Sequence, residues 1–377
     1  MYIPLGLTFL LSFIVTKIVV SVAVRREESG FGLDNNSGAV QRMHSKPVPR
    51  IGGLAIFISM VFTALYGSAI HATWGSMYSA LIMSVFFVFV GGLAEDLSGR
   101  VTPVVRMLFM MSAVVFTIYV LSSMNMIRNL EHETLNQFLR YEVIAFIITC
   151  FAVVGISNAY NMIDGYNGLS SFTAMVNLLG LLYIGFRLGD FNTMFSAAML
   201  VAAIAGFFVF NYPFGKIFLG DGGSYTIGFL ISLISLNLVG RHIGAISPFA
   251  VLLLVAYPFT ETIFTIFRRK FIHKTRAMQP DCLHLHQLIF SRCFHEKMSL
   301  LQKNARVMPI AAIMMIPQTI CAIIWYDNTI MILLSLLAYW IFYIYVYVML
   351  IKFKTPLLFK WMAYFLTKKM YINTNLK

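Results

Sequence analysis

The sequence predicts an all-α fold: a polytopic integral membrane bundle of about eleven transmembrane helices. Two observations carry that prediction. Of 377 residues, 59% are hydrophobic and only 11% charged, with a mean hydropathy of +0.80. A soluble domain carries about 25% charged residues, so this chain has too few to clothe a water-facing surface. The second observation is a recurrence of apolar runs of about 20 residues, the length a helix needs to cross a hydrocarbon core about 30 Å thick.

Such runs fall near 3–21, 51–70, 76–94, 104–122, 142–160, 170–186, 192–210, 223–240, 244–266, 307–325 and 329–351. Lipid satisfies no open backbone, so each must be helical. The first run lacks a basic leader and holds Lys17 within it, which favours a span over a removable signal peptide. Residues 356–369 carry Phe359, Trp361, Phe365 and lysines, and read as a helix lying at the interface. Residues 1–351 are thus expected to form one transmembrane domain, and 352–377 a tail.

Charge orients the bundle. The net charge is +13. Of the 28 lysines and arginines, 22 lie in segments 22–50, 95–103, 158–169, 211–222, 267–306 and 352–377. The opposite loops hold Arg128, Arg140, Arg187 and Arg241. Positive loops stay in the cytoplasm, so the first set is expected there, with the N-terminus outside and the C-terminus inside. Topology and attraction to anionic lipid account for the basic charge, and nucleic acid is not needed. Cys150, Cys282, Cys293 and Cys321 form no CxxC pair and suggest no disulfide scaffold.

Five polar clusters lie in the cytoplasmic set. In the stretch from His44 to Gly53, prolines stiffen the approach, the glycine pair admits close backbone contact, and Lys46 and Arg50 suit a phosphate. Glu95 and Asp96 end the third span, where acids oppose the helix macrodipole, an unfavourable placement that suggests a cation or a proton-accepting role. Arg106, one turn into the next span, needs an anionic partner or must snorkel to the interface. Asn158, Asn161 and Asp164 step by three and share a helical face, with oxygens suited to a hard cation; Asn167 follows between Gly165 and Gly168. Gly220-Asp221-Gly222-Gly223-Ser224 opens a helix whose first N–H groups suit phosphate, with the Asp placed to hold Mg²⁺. Cys282, His284, His286, Cys293 and His295 match no zinc-finger spacing, and the alternating histidines better suit a diphosphate or sugar contact. Acids, a glycine-rich helix start and imidazole or cationic donors at one membrane face suit phosphoryl transfer.

KPVPRIGG, the acidic pair before Leu97, NAYNMIDGYNGL, GDGGS and HLHQ occur in the order seen in polyprenyl-phosphate N-acetylhexosamine-1-phosphate transferases. The chain resembles that family from about residue 40 to 290, over five ordered motifs. The resemblance implies transfer of a sugar-1-phosphate from a UDP-N-acetylhexosamine to undecaprenyl phosphate in the bacterial plasma membrane, releasing UMP, with Mg²⁺ (Mn²⁺ substituting). The Lys-Pro-x-Pro-Arg-x-Gly-Gly form and an odd span count look like the branch that transfers GlcNAc-1-phosphate to begin surface polysaccharides. The phospho-MurNAc-pentapeptide branch of peptidoglycan synthesis is the alternative.

Residue by residue, the resemblance makes Asp221 the magnesium ligand, assisted by Asn161, and Asp96, beside Glu95, the general base or the group orienting the lipid phosphate. Asp164 and Asn167 would position nucleotide or metal, Arg106 would hold phosphate, and His284 and His286 would grip the diphosphate. Three positions depart from the family pattern: Glu95 for Asp, Asn167 for an acid, and Gln287 for a third imidazole. They leave the donor sugar open. An in-line displacement and a route through a phospho-Asp96 intermediate both remain open, as does a homodimer. A transporter or flippase is the rival class, disfavoured because the polar residues collect at helix ends rather than at the midplane. An inactive scaffold is a third.

Overall fold

The computed structural model describes residues 2–25, 48–70, 75–121, 126–272, 282–294 and 298–374. Among them the chain forms fifteen α-helices and no strand. In order they are α1 (Tyr2–Arg25), α2 (Gly53–Ala69), α3 (Gly75–Ser98), α4 (Pro103–Leu121), α5 (Glu133–Leu139), α6 (Glu142–Met162), α7 (Leu169–Arg187) and α8 (Phe191–Asn211). There follow α9 (Gly220–Arg241), α10 (Pro248–Leu254), α11 (Ala256–Phe267), α12 (Leu285–Arg292), α13 (Leu300–Trp325), α14 (Thr329–Ile351) and α15 (Leu357–Thr374). A π-helical turn, Arg268–Ile272, extends α11.

Among the described residues, nine helices are long and apolar enough to cross a membrane. The predicted span 244–266 is broken instead: α10 and α11 meet at a bend of 80°, and count as a tenth crossing only if taken together. With 17 residues, α2 is short for a crossing of its own. The expected eleven is reached only by counting both.

The break has a local cause. Pro258 has no N–H, so the carbonyl of Leu254, four residues earlier, loses its helical donor. Gln318 on α13 supplies one, Nε2 donating to that carbonyl at 3.0 Å. Irregular backbone at membrane depth is tolerated where neighbouring protein satisfies it in this way. The short helices α5 and α12 were not expected from the apolar runs, being too short to produce one.

The bundle is built around α9, nearly all of which is buried against α2, α3, α6, α7 and α8. Where lipid surrounds a bundle, helices associate by close packing of small residues, and here glycines carry it. A Cβ on Gly53 would lie 2.3 Å from the backbone N of Gly223, and one on Gly92 2.5 Å from Cα of Gly222. A Cβ on Gly228 would lie 2.8 Å from Cα of Ser157. The segment before α2 is stitched to the segment before α9 by backbone bonds, Gly52 N–H to Phe218 O at 2.9 Å and Gly53 N–H to Leu219 O at 2.8 Å. Gly220, with φ +76°, lets the chain turn into α9 against the Arg50 carbonyl. Three glycine-containing motifs far apart in sequence thus meet in one seam at one end of the bundle.

Gly92→Ala is expected to destabilise the protein by at least the ~1–3 kcal/mol typical of overpacking, because backbone, not a flexible side chain, stands in the way. Gly6→Ala, where nothing lies within 4 Å, is expected to be neutral. Thermal unfolding of both variants in one detergent checks this.

Candidate active site

At the glycine seam a cavity of about 680 Å³ opens between α4, α6, α9 and α11. Of the residues singled out in the sequence, Arg50, Arg106, Asn158, Asn161, Asp164, Asp221, His284 and His286 line it. Phe151, Val154, Gly155, Met107 and Ile266 make one flank apolar. A polar floor beside an apolar wall suits a ligand with a charged head and a lipid tail.

Asp221, in the first turn of α9, is the electrostatic centre. Arg106 Nη1 donates to its Oδ2 in a close ion pair, and Arg50 Nη2 lies 3.8 Å from Oδ1. Asn161 Nδ2 donates to Asp221 Oδ1 at 3.0 Å and to Ser224 Oγ at 2.9 Å. The Arg106 guanidinium also lies 6.0 Å from the centroid of the Tyr225 ring. Two guanidiniums on one carboxylate leave positive charge at the cavity floor, a setting that receives an anion.

Asp96 stands behind this centre. Its Oδ1 accepts from Asp221 N–H and its Oδ2 from Gly222 N–H, both at 2.8 Å. The carboxylate is unfavourably placed at the end of its own helix, but it sits at the positive N-terminus of α9, where a negative charge is stabilising. Both oxygens are engaged in holding α9, and Asp96 is not among the lining residues. Glu95 Oε2 accepts from Val101 N–H at 2.7 Å and fastens the turn into α4.

Asp164 is partly exposed at its surface yet closely surrounded by protein, and burial pushes its carboxyl up to about 7; Arg50 opposes that rise, Asp221 adds to it, and the Gly220 N–H opposes it. The unfolded value is near 3.9, so between about pH 4 and 7 the folded chain binds more protons than the unfolded one. Stability should therefore fall as pH rises through that window. Asp164→Asn is expected to flatten this slope, raising Tm at pH 8 relative to the parent and leaving it unchanged at pH 4.

Asn158 lines the cavity with its amide turned back onto Val154 O at 2.8 Å. Asn167 lies elsewhere: it is buried, its N–H donates to Asn304 Oδ1 at 2.7 Å, and its Nδ2 donates to Pro213 O at 3.1 Å. It fastens the 164–168 turn to α13 and to the segment after α8. Lys46 and His295 lie outside the described residues.

The histidines are held from behind. His284 and His286 stack with ring centroids 5.3 Å apart, and Tyr166 meets His286 edge-on. Burial pushes His286 down to about 3, with Glu261 opposing and His284 reinforcing the shift. Its ring is therefore neutral near pH 7, a hydrogen-bonding group rather than a cation. Gln287, the departure from a third imidazole, accepts from His284 N–H at 3.0 Å and so caps α12. Tyr225 and Glu261 belong to no motif in the sequence, and Arg269 stands there only as one residue of the basic run Arg268-Arg269-Lys270. A lone acid in the apolar run 244–266 was a usable signal for Glu261, because a carboxylate at membrane depth demands a partner.

Mg²⁺ keeps several waters and takes one or two carboxylates plus substrate phosphates. Among the described residues no group of three His, Cys, Asp or Glu side chains could enclose a metal. One carboxylate, Asp221, with the Asn161 amide and Ser224 hydroxyl beside it, fits that open mode of binding.

The model of glycosyl transferase family 4 matches residues 77–239, the stretch that contributes Asp96, Arg106, Asn161, Asp164 and Asp221. Over that stretch the chain is similar to glycosyl transferase family 4. A Bacillus subtilis relative described as "Probable undecaprenyl-phosphate N-acetylglucosaminyl 1-phosphate transferase" is 26% identical over 76% of this chain and 78% of its own. The Escherichia coli undecaprenyl-phosphate alpha-N-acetylglucosaminyl 1-phosphate transferase is 27% identical over 67% and 68%. The phospho-N-acetylmuramoyl-pentapeptide-transferase of Streptococcus mutans is 26% identical over 61% of this chain and 71% of its own.

Proposed function

We propose that this chain belongs to glycosyl transferase family 4 and transfers N-acetylhexosamine-1-phosphate from a UDP-sugar to undecaprenyl phosphate, releasing UMP, at the cytoplasmic face of the bacterial plasma membrane. The observation that carries the reading is the cavity itself. One carboxylate flanked by two arginines, with stacked imidazoles opposite, adjoins an apolar wall along α6 and α11. Relatives named for this chemistry support it, and those of the phospho-MurNAc-pentapeptide type keep that donor as the second candidate.

In the proposed reaction a phosphate oxygen of the lipid attacks the β-phosphorus of the donor, the bond from that phosphorus to the bridging oxygen breaks, and UMP leaves with that oxygen. A phosphate monoester has a second pKa of about 6, so the lipid phosphate is largely the dianion near pH 7 and needs no base. That fits Asp96, whose two oxygens are engaged by backbone amides, and it favours a single displacement over a phospho-Asp96 intermediate. Arg106 and Arg50 neutralise the phosphates, and the apolar wall admits the prenyl chain from the bilayer. Mg²⁺, which Asp221 and Asn161 would hold, would further neutralise the donor diphosphate and the charge building on the departing UMP.

The test is UMP release by purified protein with Mg²⁺, undecaprenyl phosphate and a panel of UDP-N-acetylhexosamines, with UDP-MurNAc-pentapeptide as a further donor. Release with one hexosamine donor, dependent on the lipid, is expected. Release with the pentapeptide donor alone would move the chain to the second candidate, and none with any donor would end the proposal.

A further inference from the structure

Glu261 lies wholly buried in α11, and three donors converge on its two oxygens. His284 Nδ1 is 2.9 Å from Oε1, Leu285 N–H donates to the two oxygens at 3.1 and 3.3 Å, and Tyr343 O–H donates to Oε2 at 2.8 Å. An ionised carboxylate only accepts, so the proton in the histidine contact sits on Nδ1. Thr265 Oγ1, 3.3 Å from Nδ1, is compatible as a second acceptor. The other ring nitrogen, Nε2, lies 3.4 Å from Nη2 of Arg269. A guanidinium only donates, so the neutral Nδ1–H tautomer satisfies both contacts, whereas a proton on Nε2 would set donor against donor.

Arg268 and Arg269 are neighbours in the π-helical turn and part company there. Arg268 donates to the Leu283 carbonyl, and to the Tyr347 hydroxyl at 2.6 Å, bracing the α12 segment from below. Arg269 lines the cavity with His284. A π turn inserted at the end of α11 changes the angular step between residues, and such turns recur at functional sites.

The geometry points to a relay from Glu261 through His284 to Arg269, in which the first two are positioning residues and Arg269 is the cation that meets the anionic group of the donor. The identity of that group, a diphosphate, rests on the sugar-phosphate-transfer reading above; the relay does not. It reverses the direct grip that the histidine motif implies. His284 acts as an acceptor that aims a guanidinium, and the planar fork of Arg269 suits two phosphate oxygens at once.

The relay is tested in full-length protein in nanodiscs, its histidines labelled with heavy nitrogen, by NMR near neutral pH. The His284 signals are assigned by their loss in His284→Gln. The expected spectrum has Nδ1 protonated and Nε2 of the unprotonated type. In Glu261→Gln an amide N–H₂ replaces one acceptor oxygen, and the proton is expected to shift in part to Nε2. Donor turnover gives a second readout. Arg269→Ala should lower kcat/KM about a hundredfold, the scale for losing one preorganised donor. Glu261→Gln should lower it about tenfold, mostly through KM, with partial recovery in Glu261→Asp. A wild-type ring protonated on Nε2 overturns the relay, even if no Glu261 variant folds. So does a Glu261→Gln protein whose spectrum and KM match the parent. A parent that shows the expected tautomer but releases no UMP with any donor refutes the sugar-phosphate reading and leaves the relay in place.

Discussion

Asp221→Ala is expected to lower UMP release by about a thousandfold or more, the upper end of what one preorganised electrostatic group contributes. The side chain is buried in the first turn of α9, paired with Arg106, approached by Arg50 at 3.8 Å and hydrogen-bonded by Asn161. Removing it leaves two guanidiniums facing one another and takes away the carboxylate on which a metal would rest. A diphosphate still meets positive charge, so the loss is expected in kcat more than in donor KM. Asp221→Asn keeps the shape and the Asn161 contact but not the charge, and is expected to be nearly as slow. Turnover assays on both variants, each with a Tm close to the parent's, separate loss of charge from loss of fold.

The second large effect is at Asp96. Leaving a buried N–H without its acceptor costs about 1–3 kcal/mol, and Asp96 accepts from two, those of Asp221 and Gly222. Asp96→Ala should therefore lower Tm by several degrees and turnover by about a hundredfold, since Asp221 is carried on the turn that Asp96 holds. Asp96→Asn should fall between parent and alanine in both respects. Its amide oxygen keeps one bond while its N–H₂ group opposes the other amide. A base or nucleophile at this position predicts a different pattern, with Asp96→Asn as inactive as alanine at undiminished Tm. Labelled protein trapped from UDP-sugar alone would establish the covalent route against the present account.

Most of the cavity floor was legible in the sequence because its residues are anomalies there. Polar groups at apolar helix ends are costly in a membrane, so Arg106, Asn161, Asp164 and Asp221 stood out, and the structure brings all four to one cavity. Glycines marked the seam for a related reason: only a missing Cβ allows the α2, α3 and α9 backbones to approach as they do. What the pattern could not supply was pairing across the chain. Asp96 read as an acid poorly placed on its own helix, and its placement makes sense only beside α9, some 125 residues later. Asn167 looked like its polar neighbours yet faces Asn304 and Pro213. Hydropathy averages over a window, so it ran straight through the bend at Pro258 and over the lone Glu261. Adjacent arginines in a basic run are indistinguishable until the π turn sends Arg268 and Arg269 to different partners.

In the proposed reaction phosphorus moves with the sugar, and a doubly labelled donor follows both. Purified protein in nanodiscs with undecaprenyl phosphate would be given a UDP-N-acetylhexosamine carrying one label on the sugar and another on the β-phosphate. Both labels are expected to enter the lipid fraction in equal amounts, with unlabelled UMP in the aqueous phase, and neither is expected to do so with Asp221→Ala. Sugar label in the lipid with the β-phosphate left in water as UDP, or both labels remaining in water with every donor, would contradict it.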